Sequence, residues 1–348
     1  MFYEEDVPVE NRVDLAYSDL DLFPEHLSKK ADKIRSLRLN NNRILVLPRA
    51  VSLFHELRHL DISANGLTHV SAEITQLPKL RTFIAKNNLL EDGALPKELH
   101  RCVSLEVLNL SGNVFTEFPE QITEMAGLRV LYLGANRLWT VPSEIKNMSR
   151  LEILYLGGNQ ISTLPVEVGS LSSLMSLVLC DNRLESLPPQ LARLRSLRSL
   201  SLHNNRIAAL PSEIIALRNL TELSLRGNPL VVNFVRDLSF DPPTLLELAG
   251  RGVKNSGLRY AESDVPPNLH RYLSLARKCP NPKCTGVYFD ARVKQIKFVD
   301  FCGKYRLPLQ QYLCSPRCTA PSPVTSSESE SEEEGVVPPD KIKKVLLG

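Results

Sequence analysis

The chain has 348 residues, 43% hydrophobic and 23% charged, and its 42 Lys and Arg nearly balance 39 Asp and Glu for a formal net charge of +3. That balance argues against a dedicated nucleic-acid or membrane-surface binder, and the apolar content suffices for a sizeable core, which excludes wholesale disorder. There is no run of 18 uninterrupted apolar residues, and the acidic opening Met1-Phe2-Tyr3-Glu4-Glu5-Asp6 is unlike a signal or transit peptide. A cytoplasmic protein is therefore expected, with the nucleus open to it. Five of the seven cysteines fall between Cys279 and Cys318, a distribution that suits metal binding better than a secreted disulfide framework.

In chain order, residues 1–33 read as an N-terminal cap: Val13, Leu15, Ser18, Leu20, Phe23, Pro24 and Leu27 form a degenerate repeat with Ser in place of Asn. From 34 to 229 the chain repeats every 23 residues, with registers opening at Ile34, Leu57, Leu80, Leu105, Leu128, Leu151, Leu174, Leu197 and Leu220; only the step to Leu105 is longer, by two residues. Each register reads L-x-x-L-x-L-x-x-N-x-L, as in Leu151, Leu154, Leu156, Asn159 and Ile161. This is the leucine-rich repeat signature. The alternation at Leu154 and Leu156 predicts a short parallel strand with both side chains inward, and the Asn column from Asn42 to Asn228 is expected to bond backbone groups where each coil turns. One coil cannot bury its own leucines, so coils stack into a curved α/β solenoid, or horseshoe.

Side chains leaving the strands between buried leucines line the concave face. At the array's ends these are polar or small, as at Arg38, Asp61, Ser201 and Ser224. In the middle, Val107, Val130 and Ile153 share one column while Ile84, Tyr132, Tyr155 and Val178 share the next. An apolar and aromatic patch is expected there as the contact surface for a protein client, against the alternative that β-branched neighbours merely stabilise the sheet. His59, His69 and His203 have no motif placing a nucleophile nearby, and no Gly-rich phosphate loop occurs, so an enzyme is not expected.

Past Asn228, Val231, Val235 and Leu238 are spaced for one helix face, predicting a C-terminal cap over 230–240. Asp241, Pro242, Pro243 and Thr244 then open a second helix carrying Leu245, Leu246, Leu248 and Ala249. It is either a further cap or a docking element. Thr244-Leu245-x-x-x-Ala249-x-x-x-Val253 resembles the elongin-binding box of cullin-RING ubiquitin ligase receptors, and Val265-Pro266-x-x-Leu269-x-x-Tyr272-Leu273 is similar to the cullin box that follows it there. Ala249 stands where Cys is commoner, and Ser263-Asp264 where the cullin-5 type carries Leu-Pro, so the pattern over 241–275 leaves cullin 2 and cullin 5 both open. The resemblance implies that Thr244, Leu245, Leu246, Leu248, Ala249 and Val253 meet elongin C of the elongin B/C pair, and that Val265, Pro266, Leu269, Tyr272 and Leu273 meet a cullin.

Residues 279–318 supply two close cysteine pairs in turn-forming contexts. Cys279, Cys284, Cys314 and Cys318 are the expected ligands of a structural zinc, with Cys302 in reserve and buried free thiols as the alternative. Val287 to Phe289 and Ile296 to Phe301 predict strands of a small β module that would draw folding energy from the metal. The module is locally basic, which is read as a solvated face rather than a nucleic-acid site. Residues 319–348, with Ser329-Glu330-Ser331-Glu332-Glu333-Glu334, are expected to form a disordered acidic tail open to acidophilic kinases.

Over nearly its whole length the chain resembles the leucine-rich repeat substrate receptors of cullin-RING E3 ubiquitin ligases, through Leu225-Arg226-Gly227-Asn228-Pro229-Leu230, Asp241-Pro242-Pro243-Thr244 and the string Ile296 to Leu309. That resemblance implies a client-selecting adaptor, with cysteine dioxygenase as a suggested client. The rival expectation is a signalling scaffold for a small GTPase or phosphatase.

Overall fold

The structure, a computed structural model, describes residues 7–230, 242–258, 260–261, 264–301, 305–319 and 344–346. The chain divides into two compact units: Met1–Ile207 with Glu213–Pro229 and Asp340–Gly348, and Ala208–Ser212 with Leu230–Pro339.

The first unit is the solenoid. Strands β1 (Arg12–Asp14), β2 (Ser36–Arg38), β3 (His59–Asp61), β4 (Thr82–Ile84), β5 (Val107–Asn109), β6 (Val130–Tyr132), β7 (Ile153–Tyr155), β8 (Ser176–Val178) and β9 (Ser199–Ser201) pair in parallel in chain order. Register keeps equivalent residues side by side, as in Leu131 against Leu154 and Leu154 against Leu177. Each strand's central side chain points inward, and Leu154, Leu156, Leu177 and Leu179 are all fully buried. On the return path, Pro142 and Pro165 set φ near −70° just before the 3-10 turns Ser143–Asn147 and Val166–Ser170. Those turns bury Ile145 and Val168. At Glu120–Thr123 the turn is a one-turn α-helix, α1.

The Asn column performs the expected bonding. Asn159 Nδ2 donates to the carbonyls of Leu133 (3.0 Å) and Leu156 (2.9 Å), and its Oδ1 accepts from the Leu138 N–H at 3.0 Å. Each amide thus ties a coil to the one before, and at ~1 kcal/mol net per bond the repeated column adds appreciably to the stacked core. The cap behaves as a repeat: β1 pairs with β2, and Phe23 packs edge-on to Phe54 at 5.8 Å.

Beyond β9, a strand at Leu210–Pro211, β10, belongs to the second unit, while β11 (Glu222–Ser224) returns to the solenoid sheet beside β9. The cap helix expected at 230–240 lies outside the described residues apart from Leu230. The acidic run 329–334 lies outside them as well, but one part of the tail corrects the expectation of disorder: Lys344–Leu346 form a strand, β16, parallel to β11. The physical reason is the free edge of the last repeat strand, whose backbone donors and acceptors a short chain segment can satisfy.

The second unit contains helices α2 (Leu245–Asn255) and α3 (Pro267–Ser274), then β12 (Arg277–Lys278), β13 (Val287–Tyr288), β14 (Val293–Phe301) and β15 (Tyr305–Leu313). Strands β14 and β15 form a long antiparallel hairpin, β10 joins β15 in parallel, and β12 pairs with β13. Lys294 and Lys297 of β14 are exposed. No helix among the described residues is long and apolar enough to cross a membrane.

Candidate functional site

On α2 the usual amphipathic arrangement is reversed. Thr244 caps the helix, its hydroxyl accepting from the Glu247 N–H at 3.2 Å. Leu245, Leu248, Ala249 and Gly252 then share the outer face at helical spacing, with Leu246 on its flank; Leu245 is 86% exposed, Leu246 49% and Leu248 50%. The buried side carries Glu247, 2% exposed, with Gly250 and Arg251.

This polar face is satisfied by chain some forty residues away. The Glu247 carboxylate accepts backbone N–H bonds from Phe289 (3.1 Å), Asp290 (3.3 Å) and Ala291 (2.9 Å). Arg251 pairs with the same carboxylate through Nε (3.0 Å) and Nη2 (2.5 Å), and donates onward to the carbonyls of Cys314, at 2.8 Å, and Ala291. Burial pushes the Glu247 carboxyl up, but the Ala291 N–H, the Arg251 guanidinium and the Phe289 N–H outweigh it and hold the group below its ordinary value. Gly250 lets the helix come close: a Cβ there would meet the Phe289 ring at 3.1 Å and the Tyr272 ring at 3.3 Å. Those rings stack 4.6 Å apart, and Leu273, Val287 and Phe289 form the small core beneath, with Val253 against it.

Of the residues expected to meet a partner, Leu273 is buried in that core and Val253 and Tyr272 are half-buried against it, because a module this small must recruit its nearest apolar side chains to cover Val287 and Phe289. Leu245, Leu246, Leu248 and Ala249 remain outward, Pro266 is exposed, and Val265 and Leu269 are half-buried.

The thiols of Cys279, Cys284, Cys314 and Cys318 converge within 4.8 Å of one another, none in a disulfide. Sγ separations are 3.5 Å for Cys284 and Cys314, 3.4 Å for Cys314 and Cys318, and 3.5 Å for Cys318 and Cys284. Four sulfurs about 2.3 Å from a tetrahedral zinc would lie about 3.8 Å apart, so the donor set fits with small rotations. The Gly286 N–H points at Cys284 Sγ from 3.3 Å and holds that thiol below its ordinary value, while burial pushes Cys314 and Cys318 up. Cys302 lies outside the described residues.

The concave patch is present but narrower than expected. Tyr132 and Tyr155 lie side by side at 6.0 Å, with Ile84, Val107, Ile153 and Val178 half-buried around them. Val130, in register between Val107 and Ile153, is only 9% exposed, and Asn109 sits between Ile84 and Tyr132, so the column is interrupted. His203, for which the sequence carries no motif placing a nucleophile nearby, is brought by the structure to Asp181 and Cys180 of the preceding coil.

A parallel sheet built from 23-residue coils, with a cross-bonded Asn column, defines a leucine-rich repeat protein, a class that works by contacting other proteins. The leucine-rich repeat family profiles match residues 104–125, 150–171 and 172–230. The chain belongs to the leucine-rich repeat-containing protein 58 family: it is 66% identical to the Xenopus laevis protein of that name over 97% of this chain and 96% of that one. It is 69% identical to the human protein over 86% of this chain and 82% of that one. Among solved structures, a leucine-rich repeat protein of Leptospira interrogans aligns at 32% identity and TM-score 0.52, covering 62% of this chain and 60% of that one. An internalin of Listeria monocytogenes aligns at 27% identity and TM-score 0.52, covering 60% and 59%.

Proposed function

We propose that the protein is a substrate-recognition adaptor of a cullin-RING E3 ubiquitin ligase. The observation that carries this reading is the outward set of the α2 leucines. A helix serving as a lid on its own module turns its leucines in; here Glu247 and Arg251 occupy the inner face and Leu245, Leu246, Leu248 and Ala249 stand ready for a groove on another protein. Elongin C of the elongin B/C pair takes that face. Val265, Pro266 and Leu269, at the start of α3, meet cullin 2 or cullin 5. The concave face around Tyr132 and Tyr155 selects the client, for which cysteine dioxygenase is the proposed candidate. Zinc on the four cysteines holds the second unit's loops together, and the chemistry of ubiquitin transfer belongs to other subunits.

Precipitation of the full-length protein from cells tests the adaptor reading. The wild type should bring down elongin B/C, and Leu245→Glu combined with Ala249→Phe should reduce recovery by about tenfold or more, since burying one charge and overfilling one contact each cost at least about 1.4 kcal/mol. Unchanged recovery with the variant, or none with the wild type, would favour the scaffold for a small GTPase or phosphatase.

A further inference from the structure

The residue two before each repeat Asn leaves the end of its strand and stacks on the same position of the next coil. In chain order this column reads Asn40, Ser63, Lys86, Ser111, Gly134, Gly157, Cys180, His203 and Arg226. It therefore sets a thiol beside an imidazole on adjacent coils, with Asp181 following the thiol directly. Cys180 Sγ, an Asp181 carboxylate oxygen and a His203 ring nitrogen all lie within 4.8 Å of one another, with His203 Nε2 and Asp181 Oδ2 3.8 Å apart.

The surrounding groups aim these donors. Ser201 and Ser224 hydroxyls lie 2.9 and 3.3 Å from His203 Nδ1, which leaves Nε2 turned toward Asp181. Asn204 Nδ2 donates to Asp181 Oδ1 at 2.7 Å, and the same carboxylate is hydrogen-bonded to the Cys180 thiol. The Asp181 N–H bonds the His203 carbonyl at 2.9 Å, locking the two coils in register. Gly157 keeps the space open: a Cβ there would meet Cys180 Sγ at 2.7 Å and the Tyr155 hydroxyl at 3.3 Å. Bracing of a ligand imidazole through its second nitrogen is the outer-shell arrangement metal sites use.

We propose that Cys180, Asp181 and His203 form a second metal site on the solenoid, separate from the four-cysteine centre, that takes a divalent transition ion, zinc foremost. Thiolate, imidazole and carboxylate together suit zinc, whose bonds of about 2.0 to 2.3 Å call for donors roughly 3.3 to 3.6 Å apart in a tetrahedron. Small rotations of Asp181 and His203, whose side chains are 50% and 34% exposed, supply the closure. Binding releases the Cys180 thiol proton to solvent. Three protein donors leave a fourth position for water or for a donor group of a protein docked against the neighbouring Tyr155.

Metal content of the full-length protein, equilibrated with zinc and cleared of loose ion by gel filtration, provides the test. The wild type should carry one equivalent more than His203→Ala and one more than Cys180→Ser. Asp181→Ala, at a half-exposed side chain, removes a donor without touching the core and should lose the same equivalent. Because the readout is a difference, it does not depend on whether the four-cysteine centre is filled. Cobalt(II) titrated in place of zinc should give more thiolate-to-cobalt absorption in the wild type than in Cys180→Ser, because the four-cysteine centre contributes equally to both. Equal metal contents in the wild type and all three variants would overturn the proposal.

Discussion

Stripping metal from the four-cysteine centre, by a strong chelator or by Cys279→Ser, should unfold the second unit and expose residues 242–319 to protease, while the solenoid keeps its own melting transition. The buried side chains of this segment are small clusters, Leu273, Val287 and Phe289 under α2, a few along the hairpin such as Ile296 and Leu307, and Cys279, Tyr288, Val293, Leu313 and Cys314 around the thiols, where two of the five are themselves donors. A core of that size does not offset the ordering of some seventy residues at ~1 to 2 kcal/mol each for the backbone alone. Structural zinc, at about 10 to 16 kcal/mol apparent in small zinc-binding peptides, is of the size needed to tip the balance. Since the Cys314 carbonyl also anchors Arg251, the same treatment should release α2 and abolish elongin B/C recovery. A chelated protein that keeps protease resistance across 242–319 would show that the thiols are merely buried neighbours.

Arg251→Ala should be the most damaging single change on α2, costing about 3 to 5 kcal/mol, because it leaves the Glu247 carboxylate buried without its partner. Glu247→Gln should cost less, since an amide still accepts from some of the three N–H donors of Phe289, Asp290 and Ala291. The two variants also separate by pH. The folded-state pKa of Glu247 lies below the unfolded value near 4.5, so its stabilisation is complete above that value and lost as pH falls through the lower folded pKa. Urea unfolding of the second unit at neutral pH and on the acid side should show the gap between wild type and Glu247→Gln shrinking in acid. Subtracting the two removes the contribution of thiolate protonation, which both share. A gap independent of pH would mean that Glu247 acts only by shape.

The solenoid was readable because its information is periodic. One coil's Leu154, Leu156 and Asn159 are repeated by the next coil's Leu177, Leu179 and Asn182, and stacking requires only that the same positions recur. Helix α2 was readable as an element, from Thr244 and the leucines after it, but its polarity was not. That Glu247 faces inward depends on three backbone N–H groups more than forty residues on, which no local pattern carries. The inward turn of Tyr272 and Leu273 has the same origin, a core assembled from separated segments. Nor does the sequence period predict that Leu210–Pro211 leaves the array to pair with β15. Cys180 and His203 each stand two residues before their repeat Asn on successive coils, so their pairing is legible across the 23-residue period and invisible as a motif along the chain.

A photoreactive amino acid placed at Leu248 of the full-length protein in cells tests most directly whether the outer face of α2 is a docking surface. With Leu248 half-exposed on the face opposite Glu247, irradiation should yield one dominant adduct, with elongin C, and the adduct should vanish when Leu245→Glu is added. A cross-link from position 248 back into this chain's own repeats, with no elongin C adduct, would show instead that the helix closes its own molecule and recruits nothing.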